Sequence, residues 1–199
     1  MEPKNVIRSK RLIKRAVMKL ILKKNPADIK VTEITTLAEV NRGTFYAHYN
    51  TIFDVISEIE DDLIDNFLDN LKSSTNTPSD LSDPVLQKFH FLNFSFIEEM
   101  LKQGYKHQEL ILKHYKRNLF PNLMVKFKER IYKLILQHSV IPSSEQLQLD
   151  YRIIISYMVS GYVGLVTDWA AGDLGKDVTP EIIFPYIKKM VLKLSETKS

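Results

Sequence analysis

Apolar residues recur at spacings of three and four along the first stretch of the chain: Leu12, Ile13, Ala16, Val17, Leu20 and Ile21. That period predicts an amphipathic helix, with Lys10, Arg11, Lys14, Arg15 and Lys19 filling its other faces. It ends near Asn25-Pro26, because proline cannot continue a helix. Thr32 is placed to cap a short second helix whose apolar side is Ile34, Leu37 and Ala38, and Asn41 a third that runs to about His48. Asn50 or Thr51 then starts a long fourth helix. Ile52, Ile56, Ile59, Leu63, Phe67 and Leu71 form its apolar stripe, and Asp54, Glu58, Asp62, Asp65 and Asp69 an acidic one.

Beyond it the pattern changes. Residues 73–82 are polar and form the clearest boundary in the chain. Asp83-Pro84 restarts a helix, with Asp as cap and Pro in the first turn. Helical periodicity continues to about Lys102, and again from about Tyr105 to Asn118. Pro121 opens a further helix ending near Ser139. Ser143 and Gln146 have the spacing of a capping box, at the head of a long helix ending near Ala171-Gly172. Thr179-Pro180-Glu181 starts a last helix, with Ile183, Ile187, Met190 and Leu194 as its stripe and Pro185 as a kink point. About nine helices, short ones first, predict an all-α architecture.

Charge sharpens this picture. Residues 1–50 hold 11 basic and 4 acidic side chains, whereas residues 51–80 hold 1 basic and 8 acidic. A basic head is the footprint of nucleic-acid binding, although a solvated basic helix face would look the same. The 199 residues include no cysteine, which excludes disulfides and thiol chemistry and fits a reducing cytoplasm. Six glycines and no phosphate-binding glycine string argue against a nucleotide site. No apolar run follows the basic N-terminus, so no signal peptide is expected. The longest uncharged run, Ile153 to Thr167, is 15 residues, short of the ~20 that span a bilayer; no membrane partner is expected.

Residues 31–49, VTEITTLAEVNRGTFYAHY, form two short helices around a tight turn at Glu39-Val40. In a helix-turn-helix the second helix enters the major groove. Arg42 can pair with phosphate or guanine, Gly43 lets backbone approach DNA, and Thr44 can donate to phosphate or touch a thymine methyl. Tyr46 and His48 present polar tips, while Phe45 and Tyr49 face inward. On pattern alone, a small helical hairpin with core aromatics fits the same residues.

Ile34, Ala38, Val40, Gly43, Thr44, Phe45, Tyr46, His48 and Tyr49 fall in the order of the DNA-binding motif of TetR-type transcriptional regulators, and residues 7–70 resemble that domain. Glu39 replaces the family's turn glycine, where a left-handed backbone strains a side chain. Asn41 replaces a capping serine, and Ile52 stands where the family places a phosphate-binding lysine. The string Glu39-Val-Asn-Arg-Gly-Thr-Phe-Tyr46 resembles an atypical branch of the family, the dihydroxyacetone kinase co-activator type. The resemblance implies a DNA-binding domain over residues 1–50, a connecting helix over 51–72, and a helical effector-binding and dimerisation domain over 73–199. It implies a homodimer on palindromic double-stranded DNA, with Thr32, Asn41, Arg42, Gly43, Thr44, Tyr46 and His48 as contacts.

The remaining helices are less legible. Residues 150–171 are apolar on nearly every face, as in a helix buried on several sides. Gly161 and Gly164 would admit a second helix, and with Trp169 and Ile187 they are the expected dimer contacts; a central helix of a monomer fits the pattern too. Phe89, Phe91, Phe94, Phe96, Tyr105 and Tyr115 suit an effector cavity (Phe89, Phe94, Tyr105 and Tyr115 being the chosen lining) or plain core. The histidines lack metal-site spacing, and neither cofactor nor enzymatic activity is expected. Control by an effector in the C-terminal domain is the leading reading, with control of the same scaffold by a partner protein the alternative and an all-α enzyme the weaker third class.

Overall fold

The computed structural model describes residues 3–74, 94–138, 145–175 and 177–196. Among them are nine α-helices and no strand, the all-α architecture that the periodicity predicts. The chain divides into two units, residues 1–63 with 113–123, and residues 64–112 with 124–199. Phe89, the Asp83-Pro84 restart and Ser143 of the predicted capping box lie outside the described residues.

In the first unit, α1 (Lys4–Ile21) turns Ile13, Ala16, Val17 and Ile21 inward. A 3-10 turn at Pro26–Asp28, capped by Asn25, leads into α2 (Val31–Ala38), which packs on α1. Thr32 is not the cap of α2. Glu33 does that work, its carboxylate accepting from the Lys30 N–H at 2.9 Å while Lys24 pairs with it. That ammonium hydrogen bond holds the Glu33 carboxyl below its ordinary range.

α3 (Arg42–Tyr46) follows a turn, and α4 (Ile52–Ser74) begins where Asp54 accepts the N–H groups of Asn50 and Thr51, both at 2.8 Å. Val55, Ile56 and Ile59 of α4 join the α1 core. Its acidic stripe does not stand free in solvent. Glu58 takes Lys10 and Lys14, and Asp62 takes Lys14 at 2.5 Å. Burial works against both charges, yet the Tyr49 and Lys14 hydrogen bonds outweigh it at Glu58 and lower its pKa. The same pairs raise that of Lys14. Part of the basic head is therefore committed to the acidic helix beside it.

A second stretch, from much later in the chain, completes this unit. Leu119 and Phe120 are fully buried, Arg117 donates to the Leu22 carbonyl at 2.6 Å, and Glu60, buried outright, accepts the Asn122 N–H at 2.8 Å. Half-buried His114 accepts the Phe120 N–H at Nδ1, 3.2 Å away, so the ring is neutral with its proton on Nε2. Burial lowers its pKa from the ordinary 6.5, against the pull of the Glu60 charge. The unfolded chain thus binds this proton more readily, and the stability His114 contributes is complete above pH 6.5 and fades as pH falls below it. His114→Asn, which keeps an acceptor but cannot titrate, should flatten the dependence of the urea midpoint between ~pH 7 and ~5.5 relative to wild type.

In the second unit, α5 (Phe94–Lys106) packs against α8 (Glu145–Ala171) and α9 (Pro180–Glu196). α6 (Gln108–Arg117) follows directly, so the helix break falls at His107 rather than between Lys102 and Tyr105. α7 (Leu123–His138) lies between α6 and α8 in the chain. Gly104 makes the α5–α8 approach possible, since a Cβ there would sit 3.3 Å from both methyls of Val166. Beside it the Tyr162 hydroxyl donates to the Met100 carbonyl at 2.8 Å, and burial pushes its pKa up. Ile97, Leu101, Trp169 and Ile183 form the core here.

Candidate nucleic-acid interface

The hairpin of α2 and α3 is built around one backbone requirement. Glu39 adopts φ 55° and ψ 41°, the left-handed conformation that ends α2. Its N–H and that of Val40 return to the carbonyls of Thr36 and Thr35 at 3.3 and 3.1 Å. A non-glycine residue carries ~1–2 kcal/mol of strain there, partly offset by the smaller entropy it has to lose. Glu39→Gly should stabilise the unit by ~0.5–1 kcal/mol, read as a higher urea midpoint.

Asn41 then caps α3. Its Oδ1 accepts the Thr44 N–H at 2.7 Å and the Thr44 hydroxyl at 3.0 Å. The hydroxyl proton is thereby committed, leaving Thr44 its oxygen lone pairs and its methyl for a ligand. Gly43 belongs to the same cap, as a Cβ at that position would press on Asn41 Oδ1 at 3.2 Å. Beneath the helix Phe45 is fully buried and Tyr49 nearly so, their rings 5.9 Å apart. Lys10 of α1 stands over the Tyr49 ring at 5.8 Å.

With those aromatics inside, Arg42 and Tyr46 face out. Arg42 is exposed, and Tyr46 is 56% exposed with its ring edge-on to Phe45. Thr32 is half-buried in the first turn of α2. His48 is engaged differently from a free contact residue, since its Nε2 lies 2.8 Å from Ser9 Oγ. Ser9 gives its one proton to the carbonyls of Asn5 or Val6, so the ring donates and ties the end of α3 to α1. Ile52 is buried under the start of α4 and offers no contact. Sequence reasoning missed the Ser9–His48 tie, since a serine 39 positions upstream carries no local signal.

Of the four residues expected to line an effector cavity, the structure describes the side chain of Tyr105 alone. Phe89 is outside the described residues, and Phe94 and Tyr115 are described only as positions in α5 and α6. Tyr105 stacks on buried Trp169 at 5.0 Å and is itself 39% exposed. Tyr105 and Tyr115 also fall in different units.

Two of the four expected dimer contacts sit at the core of the second unit. Trp169 is buried in its own unit, its indole N–H donating to the Val178 carbonyl at 2.7 Å, and Ile187 packs against that core. Gly161 and Gly164 differ, since a Cβ on either would meet nothing within 4 Å. The exposed face of α8 also carries Ile153 and Tyr157, 58% and 74% exposed, and α9 exposes Ile182 and Tyr186.

No group of side chains with metal-holding geometry occurs among the described residues, nor does any described helix have the length and apolarity to cross a membrane. No curated protein matches the chain. A family model described as the transcriptional regulator C-terminal region, of the TetR type, matches residues 94–193. That match covers half the chain, in the region whose own sequence was least legible, while the N-terminal motif resembles the same family independently. The chain belongs to the TetR family of transcriptional regulators.

Proposed function

We propose that the chain is a homodimeric regulator that reads a palindromic operator through residues 41–49. The observation that carries this is the outward edge of α3, with Arg42 and Tyr46 exposed over buried Phe45 and Tyr49. A guanidinium and a phenol on a short, rigid, capped helix suit base-edge and phosphate contact. Asn41, Gly43 and Thr44 set the helix at that edge, and Thr32 and His48 flank it. Two readers held one helical turn of DNA apart require a dimer. The apolar side chains and open glycines on the outer face of α8 support one.

Control is proposed to act by shifting the dimer between two spacings, through a ligand that binds one better. An effector in the C-terminal domain is the first candidate for that ligand and a partner protein the alternative, the Tyr105–Trp169 stack engaging one of the four aromatics expected to line a cavity.

Gel shifts on the region upstream of the gene, at several salt concentrations, test the reading. Arg42→Ala and Tyr46→Phe should each weaken binding by ~1–3 kcal/mol while the melting midpoint stays within ~0.5 kcal/mol of wild type. Loss of a phosphate contact should also flatten the salt slope by ~1. Binding that ignores salt, or variants that bind normally, would refute the assignment.

A further inference from the structure

α1 carries more cationic charge than α4 neutralises. Lys10 and Lys14 turn to Glu58 and Asp62. Arg11, Arg15 and Lys19 are exposed, and no ion pair engages them among the described residues. Four residues apart, they form one ridge along α1, ~12 Å long. Next to the ridge is an open groove between α1 and α4 of about 920 Å³, in which Ile7, 51% exposed, Met18 and Leu63 form apolar floor and the paired Lys10, Lys14, Glu58 and Asp62 a mutually neutralised wall. Every wall of the groove belongs to the first unit.

The two properties together limit the occupant. A DNA backbone would satisfy the ridge and leave the apolar floor in water, where it gains nothing from burial. An apolar helix would cover the floor and strand the three cations at its edge. We infer that this groove receives an acidic amphipathic helix of a partner protein. Its apolar side chains, at spacings of three and four, lie on Ile7, Met18 and Leu63. Asp or Glu along its flank meets Arg11, Arg15 and Lys19, whose charge is the part left over after α4 has taken its share. The surface is separate from the α3 edge, and the inference does not depend on operator binding.

A phage-displayed library of ~16-residue peptides, about four helical turns, selected on the immobilised full-length chain, tests it. The enriched peptides should combine Asp or Glu with Leu, Ile or Phe at helical spacing. A synthetic copy should lose at least ~10-fold in affinity for Arg11→Glu/Arg15→Glu, chiefly through its association rate and with a weaker salt dependence, and a similar factor for Ile7→Ser/Met18→Ser. The charge variant alters only exposed side chains, so it reports even if the apolar variant unfolds. An enriched pool without the acidic-apolar pattern, or peptide affinity untouched by the charge variant, overturns the inference. So does weaker gel-shift affinity of the charge variant for a duplex with long flanks, which would give the ridge to DNA. A charge-dependent change in sedimentation would give the groove to a second copy of the chain, and overturns it equally.

Discussion

Phe45→Ala is expected to remove ~3–5 kcal/mol of stability, the range for emptying a fully buried phenylalanine site. The loss should fall on the first unit alone. Phe45 has no exposed surface and contacts the rings of Tyr46 and Tyr49 from beneath α3. A helix of five residues has no stability of its own, so it stays in place only while that side chain anchors it. The chain supplies its own second probe. Trp169 is the single tryptophan and lies in the other unit. In a urea titration, circular dichroism should show an early transition in the variant, while the Trp169 emission transition keeps its wild-type midpoint. A variant with one unshifted transition by both probes would mean that α3 is not held by Phe45. Operator affinity should vanish with the early transition.

Gly164→Glu is expected to cost ~10²–10⁴-fold in affinity for a palindromic operator, the advantage that joining two readers confers. The single subunit should not suffer. A Cβ at Gly164 meets nothing within 4 Å, and replacing a helical glycine gains up to ~1 kcal/mol of helix propensity. The same carboxylate inside an interface of close-packed helices would be buried without a partner, at a cost of several kcal/mol. Fold and assembly are thereby separable. Sedimentation should show the wild type as a dimer at micromolar concentration and the variant as a monomer that keeps its helical circular dichroism. A monomeric wild type, or a dimeric variant, would place the interface elsewhere.

The helices were readable because their causes are local. Ile13, Ala16 and Val17 announce a face by spacing, and Asn41 and Thr179-Pro180 announce starts by chemistry. The α2–α3 motif was readable too, including the left-handed backbone at Glu39. What could not be read was pairing over distance. Glu60 sits in a run of acids and looks solvated, yet it is buried because Asn122, 62 positions away, brings an N–H to it. The packing of Trp169 and Ile187 at one core could not be read either, because an apolar side chain does not say which neighbour covers it. The same blindness hid the tie from Ser9 to His48, and made the basic head look wholly available when Lys10 and Lys14 were already committed to α4. The break at His107 was missed because the flanking residues, Lys106 and Gln108, are ordinary helix formers, with Gly104 the more visible punctuation.

The first unit is assembled from two stretches that lie some fifty residues apart in the chain. Leu119 and Phe120 close its core, and the Asn122 N–H serves Glu60. A fragment ending at Leu63 would expose that core and strand a buried carboxylate, so it should not fold as an independent reading head. The same holds for descent. A recombination event that exchanged only the first sixty residues between relatives would deliver a head whose closing segment belonged to another lineage. Residues 113–123 must therefore change in step with α1 and α4, and the specificity of such a regulator would be inherited with its whole chain and not as a detachable N-terminal cassette.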